Sequence, residues 1–137
     1  MSKYKSKKVE YQDRIFDSKF ECTYYAFLQE LVKQGKITNL QRQKIYELLP
    51  RQTDSKGKFL YHPIEYKSDF EYDDINKTHH TVDTKGILTP DFRLKQKLFY
   101  YVFKRKIECV KLKDAKKDEL FNQIDKKMKE YFKCNGV

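Results

Sequence analysis

Apolar residues recur along this chain with two periods, and the switches between those periods mark its elements. From Phe20 to Val32 the spacing is helical: Phe20, Tyr24, Phe27, Leu28, Leu31 and Val32 form one arc at about 100° per residue. Asp17 or Ser18 is a suitable N-cap, Glu21 stands three residues after Ser18 as in a capping box, and Gly35 supplies a stop. A helix is therefore expected up to about Lys33. From Phe59 to Tyr72 the period falls to two, with Tyr66, Ser68, Phe70 and Tyr72 on one face and Lys67, Asp69 and Glu71 on the other. After a turn over Asp73 to His80, a short alternating strand, Thr81-Val82-Asp83-Thr84-Lys85, stops at Gly86. Thr89-Pro90-Asp91 then opens a helix: an N-cap, a proline at the first position and an acid at the positive end of the dipole.

That helix is expected to run to about Lys104 and to bury Leu94, Leu98, Phe99, Tyr101, Val102 and Phe103. Ile107 to Leu112 reads as a short apolar strand. Asp114 to Phe132 reads as a last amphipathic helix with Leu120, Ile124, Met128 and Tyr131 at helical spacing. Earlier in the chain, Val9 to Phe16 reads as a hairpin turning at Gln12-Asp13, Ile37 to Leu49 as one or two strands, and Arg51 to Lys58 as a loop. Helix, strands, helix and strand in this order imply an α/β fold: a mixed central β-sheet flanked by helices.

Composition narrows the partner more than the fold. The chain has 137 residues, enough for one domain with one core. It carries 30 Lys+Arg against 20 Asp+Glu, a net charge of +10, which suits a polyanion such as nucleic acid; a solvated lysine-rich surface explains the charge alone equally well. Residues 1 to 8 read as a mobile basic arm, with Lys3, Lys5, Lys7 and Lys8. No apolar run approaches the ~20 residues of a membrane span, and the start lacks a secretory segment. Cys22, Cys109 and Cys134 form no metal-binding spacing, so reduced thiols and a cytoplasmic location are expected.

Three polar placements stand out against this pattern. Asp83 and Lys85 share a strand face, roughly 7 Å apart along the chain, as in a site that holds a divalent cation and a water; a surface ion pair is the competing reading. Glu21 projects inside the apolar arc of its helix, between Leu28 and Val32, where a carboxylate is costly unless it is paired, metal-bound or capping. Lys95 falls between Val102 and Phe99, where it either snorkels or meets a phosphate. His79 and His80 are adjacent, so a strand sends them to opposite faces; a polar turn is the preferred reading of this pair.

Five blocks in order, F-D-S-K-x-E (16–21), L-Q-x-Q (40–43), Y-K-S-D-F (66–70), V-D-T-K-G (82–86) and T-P-D-F-x-L-K (89–95), resemble a phage-encoded, endonuclease-like branch of the PD-(D/E)XK nuclease superfamily. The resemblance spans about residues 9–112 and implies a restriction-endonuclease-like αβββαβ core, with residues 113–137 as an added C-terminal helix. It implies that Asp69 and Asp83 ligate Mg²⁺ or Mn²⁺, with the Thr84 carbonyl as a further ligand. Glu21 would complete the metal site, and Lys85 would orient or deprotonate the attacking water. Lys95, Gln43, Lys19 and Lys67 are the candidate nucleic-acid contacts. Ser68 stands where the superfamily has proline, and Gln96 and Tyr100 match a Q-x-x-x-Y spacing but fall off the edge of the apolar arc.

The expectation is a metal-dependent DNA endonuclease acting on duplex or branched DNA, working as a homodimer because two-strand cleavage needs two sites. A Holliday-junction resolvase is the alternative within the fold. A non-catalytic nucleic-acid-binding accessory protein, or a replication or packaging accessory acting through its last helix, is the alternative outside it.

Overall fold

The computed structural model describes residues 7–84 and 88–137. Its first hairpin pairs β1 (Val9–Tyr11) with β2 (Arg14–Phe16) through Gln12 and Asp13, both at positive φ (53° and 60°), the geometry of a tight two-residue hairpin turn. Helix α1 covers Lys19–Lys33, as the pattern predicts. Ser18 caps it by accepting from the Glu21 amide at 3.0 Å, and Gly35 beyond it takes φ +73°.

The following strands make one long antiparallel ribbon folded at a corner. β3 (Ile37–Arg42) pairs with β8 (Phe70–Asp74), and β4 (Ile45–Leu49) pairs with β7 (Ile64–Lys67). At the corner Gln43 adopts φ +56°; its amide donates to Asp69 O at 3.2 Å, and the Ser68 amide donates to Lys44 O at 2.9 Å. Both strands bend together, which swings β4 and β7 away from the main sheet. Between them β5 (Gln52–Thr53) and β6 (Phe59–Tyr61) form a small ladder where a loop is expected over 51–58. The alternation from 59 to 72 is thus three strands rather than one. A bent ribbon keeps period two on each arm while changing the sheet to which the arm belongs.

The main sheet has the order β10-β9-β8-β3. β9 (His79–Asp83) is antiparallel to β8, and β10 (Glu108–Cys109) is parallel to β9, so the sheet is mixed. One face is covered by α1 and α4 (Glu119–Cys134): Phe70 and Val82 of the sheet join Tyr24, Phe27, Phe121 and Phe132 in a ring-rich core. β4, β7 and α2 (Pro90–Phe103) form a second core of Tyr46, Tyr66, Phe92, Phe99 and Ile107. No helix among the described residues is long and apolar enough to cross a membrane.

Two helical expectations change. The segment expected as one helix over 114–132 is α3 (Leu112–Ala115) followed by α4, because Asp118 caps the Leu120 and Phe121 amides at 2.9 and 3.3 Å and restarts the helix. α2 has the expected Thr89 cap, but of the residues expected to be inside only Phe99 is buried, with Leu98 half-buried; Leu94, Tyr101, Val102 and Phe103 are exposed. A helix resting on a narrow two-strand ribbon buries a thin stripe, here Phe92 and Phe99 one heptad apart.

The histidines also move from turn to strand. The turn is confined to residues 75–78, where Asp74 Oδ1 accepts from the Asn76 and Thr78 amides at 2.8 and 3.0 Å. His79 and His80 begin β9 and face opposite ways: His79 toward Asp73 and Glu71, His80 toward Asp74 (2.8 Å) and Glu108 (2.5 Å). Burial pulls the His80 pKa down, but hydrogen bonds to Asp74 and Glu108 outweigh it and the net shift is upward; its ring also stacks on Tyr72 at 4.8 Å. A raised histidine pKa stabilises the fold fully below the ordinary value and less as pH climbs through the raised one. Melting temperature should therefore fall as pH rises from about 6 to about 8. In His80→Gln that slope should flatten; an unchanged slope would show that the pairing contributes nothing.

Candidate functional site

The corner of the ribbon and the end of β9 bring the predicted carboxylates together. Asp69 immediately precedes Phe70, whose partner across the sheet is Val82, and Asp83 immediately follows Val82. Two neighbouring strands therefore deliver Asp69 and Asp83 at the same end of the sheet. The Thr84 amide and hydroxyl both donate to Asp69 Oδ2, at 2.7 and 2.8 Å, so the residue after Asp83 fixes the Asp69 carboxylate.

Glu21 arrives from the first turn of α1 and hydrogen-bonds the Asp69 carboxyl. It is 3 % exposed. Burial comes first, then the hydrogen bond and charge of Asp69; together they push Glu21 up to about 8, against a hydrogen bond from the Asp17 amide at 3.2 Å. Near neutrality this favours the protonated form of Glu21. Only half of the expected capping box forms: Ser18 caps Glu21, but the Glu21 carboxylate reaches the Asp17 amide, not that of Ser18.

Asp83 is buried, and its Oδ2 accepts from the Tyr66 hydroxyl at 2.7 Å. Burial first, then the charge of Asp83, drives the Tyr66 phenol far above its ordinary value, so it remains a donor. Beside Glu21 lies Arg42, its guanidinium 3.8 Å from the Glu21 carboxylate and 3.9 Å above the Phe16 ring. Burial lowers the Arg42 pKa, while Glu21 works in the opposite direction.

The other predicted contacts scatter. Lys85 and Gly86 lie outside the described residues. Gln43 is exposed on the corner next to Asp69. Lys67 is exposed on β7. Lys19 turns toward α4, its Nζ 5.8 Å above the Phe132 ring, and Lys95 pairs with Asp91 at 3.5 Å on a largely solvated flank. Lys95 stays with its own helix because the exposed side of α2 is wider than its apolar spacing suggests.

A second polar cluster lies on the same sheet face, one pair further from the corner. Glu71 is wholly buried: it accepts from Tyr46 (2.5 Å) and Thr81 (2.9 Å) and bonds His79 at 2.6 Å. Arg105 donates to Thr81 at 2.6 Å and to Tyr46 at 3.0 Å. Among the described residues nothing reaches the second oxygen of Glu71. Tyr46→Phe keeps the ring but removes one donor from a buried carboxyl, and should destabilise the protein by about 1–3 kcal/mol in chemical denaturation. Arg42, Tyr66 and Glu71 escape a reading of the sequence, since nothing local separates them from other strand residues.

Among the described residues no group of three or more His, Cys, Asp or Glu is set as a metal cage. The donor set nonetheless suits a hard divalent cation: carboxylate oxygens, with burial and the Asp69 charge raising the Glu21 pKa in a way that a cation would offset. The chain belongs to the DUF1064 family, described as a protein of unknown function, whose model matches residues 1–130. Neither a curated protein nor a solved structure matches it.

Proposed function

We propose that this DUF1064 protein is a divalent-metal-dependent DNA endonuclease. The observation that carries the reading is the convergence of Asp69 and Asp83 from adjacent strand ends, with the buried Glu21 carboxyl close enough to feel the Asp69 charge. Mg²⁺ or Mn²⁺, held by Asp69 and Asp83 with Glu21 beside them, would supply Lewis-acid stabilisation of the phosphoryl charge. Thr84 orients Asp69 and Tyr66 orients Asp83, and a cation held there would favour the ionised form of Glu21. Lys85, two residues past Asp83, positions the attacking water or takes its proton. The net charge of +10 favours a polyphosphate substrate, bound through its backbone. Cleavage of both strands, or of a branched junction, would use two copies of the chain related by a two-fold axis.

A non-catalytic nucleic-acid-binding protein is the second reading, favoured by hydrogen bonds that already satisfy Asp69 and engage Asp83 within the chain. Incubation with duplex, single-stranded, flap and four-way-junction DNA under Mg²⁺, Mn²⁺, Ca²⁺ or EDTA separates the two. Mg²⁺- or Mn²⁺-dependent products that vanish in EDTA are expected. Binding without any product under all conditions would select the second reading.

A further inference from the structure

The exposed side of α2 carries chemistry that the carboxylate site does not use. From Phe92 to Ile107 the sequence holds Arg93, Lys95, Lys97, Lys104, Arg105 and Lys106 and no acidic residue. Tyr100 and Tyr101 stand in solvent among these bases, 51 % and 73 % exposed. Lys97 stands three residues before Tyr100 and four before Tyr101, and Lys104 four after Tyr100 and three after Tyr101, so the four share a helix face. The Lys104 ammonium already sits 4.9 Å from the Tyr101 ring centre. Between this face and the start of β10 runs an open groove of about 550 Å³, walled by Gln96, Lys97, Tyr100, Lys106 and Ile107.

One end of the groove adjoins the carboxylates. Gln96 reaches Cys109 Sγ at 3.4 Å, and Cys109 is the cross-strand partner of Asp83. The Gln96 wall of the groove is thus joined to the end of β9 through Cys109 and one strand spacing of about 5 Å.

We propose that this groove binds single-stranded nucleic acid, with Tyr100 in its wall and Tyr101 beside it on the same helix face as stacking platforms and Lys97 and Lys106 on phosphates. Charge complementarity selects a polyanion: a partner helix or sheet that covered Tyr100, Tyr101, Val102 and Phe103 would also have to cover the bases around them, with no acidic residue from Phe92 to Ile107 to pair them. Among polyanions, solvent-exposed rings select unpaired bases, because a duplex keeps its π-faces inside the stack. The proposal deepens the reading of DNA as substrate, which it takes as its premise: it places an unpaired segment, as at a flap or junction, beside the cleavage site. It needs neither metal nor hydrolysis.

The test is fluorescence anisotropy of the full-length protein in EDTA, with a labelled oligothymidylate long enough for a site of roughly 4–16 nucleotides. The wild type should bind the strand more tightly than a duplex of equal length. Tyr100→Ala and Tyr101→Ala should each weaken strand binding on the order of 10-fold, while Tyr100→Phe and Tyr101→Phe retain it. Lys97→Ala and Lys106→Ala should each reduce the salt slope of log K by about 0.7. All these side chains are exposed or at a groove wall, and thermal melts should match the wild type. Wild-type affinity in the Tyr100→Ala/Tyr101→Ala double variant would overturn the proposal, as would equal affinity for strand and duplex. So would a double variant that turns a dimer into a monomer with strand affinity unchanged, which would make the face a protein interface. Because binding is read without metal, absent cleavage counts against the nuclease reading alone, and lost strand preference counts against the groove alone.

Discussion

Asp83→Asn is expected to abolish Mn²⁺ binding by calorimetry and to slow DNA cleavage by on the order of 10³-fold or more. A cation that neutralises charge on the transferring phosphoryl is worth several kcal/mol, and each tenfold in rate is about 1.4 kcal/mol. The substitution is nearly isosteric, and an asparagine carbonyl can still accept from the Tyr66 hydroxyl that now bonds Asp83 Oδ2 at 2.7 Å. The fold should therefore survive, with a melting temperature close to that of the wild type. Asp83 is 1 % exposed, so a structural role alone would give the opposite pattern: a large loss of stability with metal binding unaltered. Unchanged Mn²⁺ binding in a folded variant would remove the metal assignment at this strand.

Lys85→Ala is expected to separate chemistry from binding. Metal and DNA affinity should stay within a few-fold of the wild type while the single-turnover rate at saturating Mg²⁺ falls. General acid-base groups contribute ~10²–10⁴-fold, which sets the size of the loss. If Lys85 only pairs with Asp83 at the surface, the same variant changes stability by less than about 1 kcal/mol and leaves the rate alone. A wild-type cleavage rate in Lys85→Ala would refute its role at the water. Lys95 serves as the contrast: it pairs with Asp91 on the flank of α2, so its removal should leave the rate at saturating substrate untouched.

The elements that can be read in the sequence are those whose signals are local. α1 begins at a serine cap and ends before a glycine at φ +73°, and both are properties of a few consecutive residues. The Gln12-Asp13 turn and the Thr89-Pro90 start of α2 are legible for the same reason. Glu21 can be picked out because it sits where its helix's period calls for an apolar residue, Asp83 because it shares a strand face with Lys85, and Asp69 because its block resembles that of a nuclease family. Strand breaks at 62–63 and 68–69 are not legible, since both arms of a bent ribbon keep the same alternation across the corner.

By itself, then, the sequence determines the caps, turns and periods, the excess of positive charge and the three carboxylates worth testing, all of which depend on neighbours within a turn or a strand. Only the tertiary structure decides how those parts meet. The corner at Gln43 and Asp69 sets Asp69 and Asp83 side by side, and α1 carries Glu21 to them. The same fold buries Glu71 under Tyr46 and Arg105, partners 25 residues apart for Tyr46 and Glu71 and 59 for Tyr46 and Arg105. It also leaves Tyr101 of α2 in solvent, against its spacing. Each of these outcomes depends on which surface a side chain meets after distant strands pair, and side-chain burial is a property of that meeting rather than of the residue or its period.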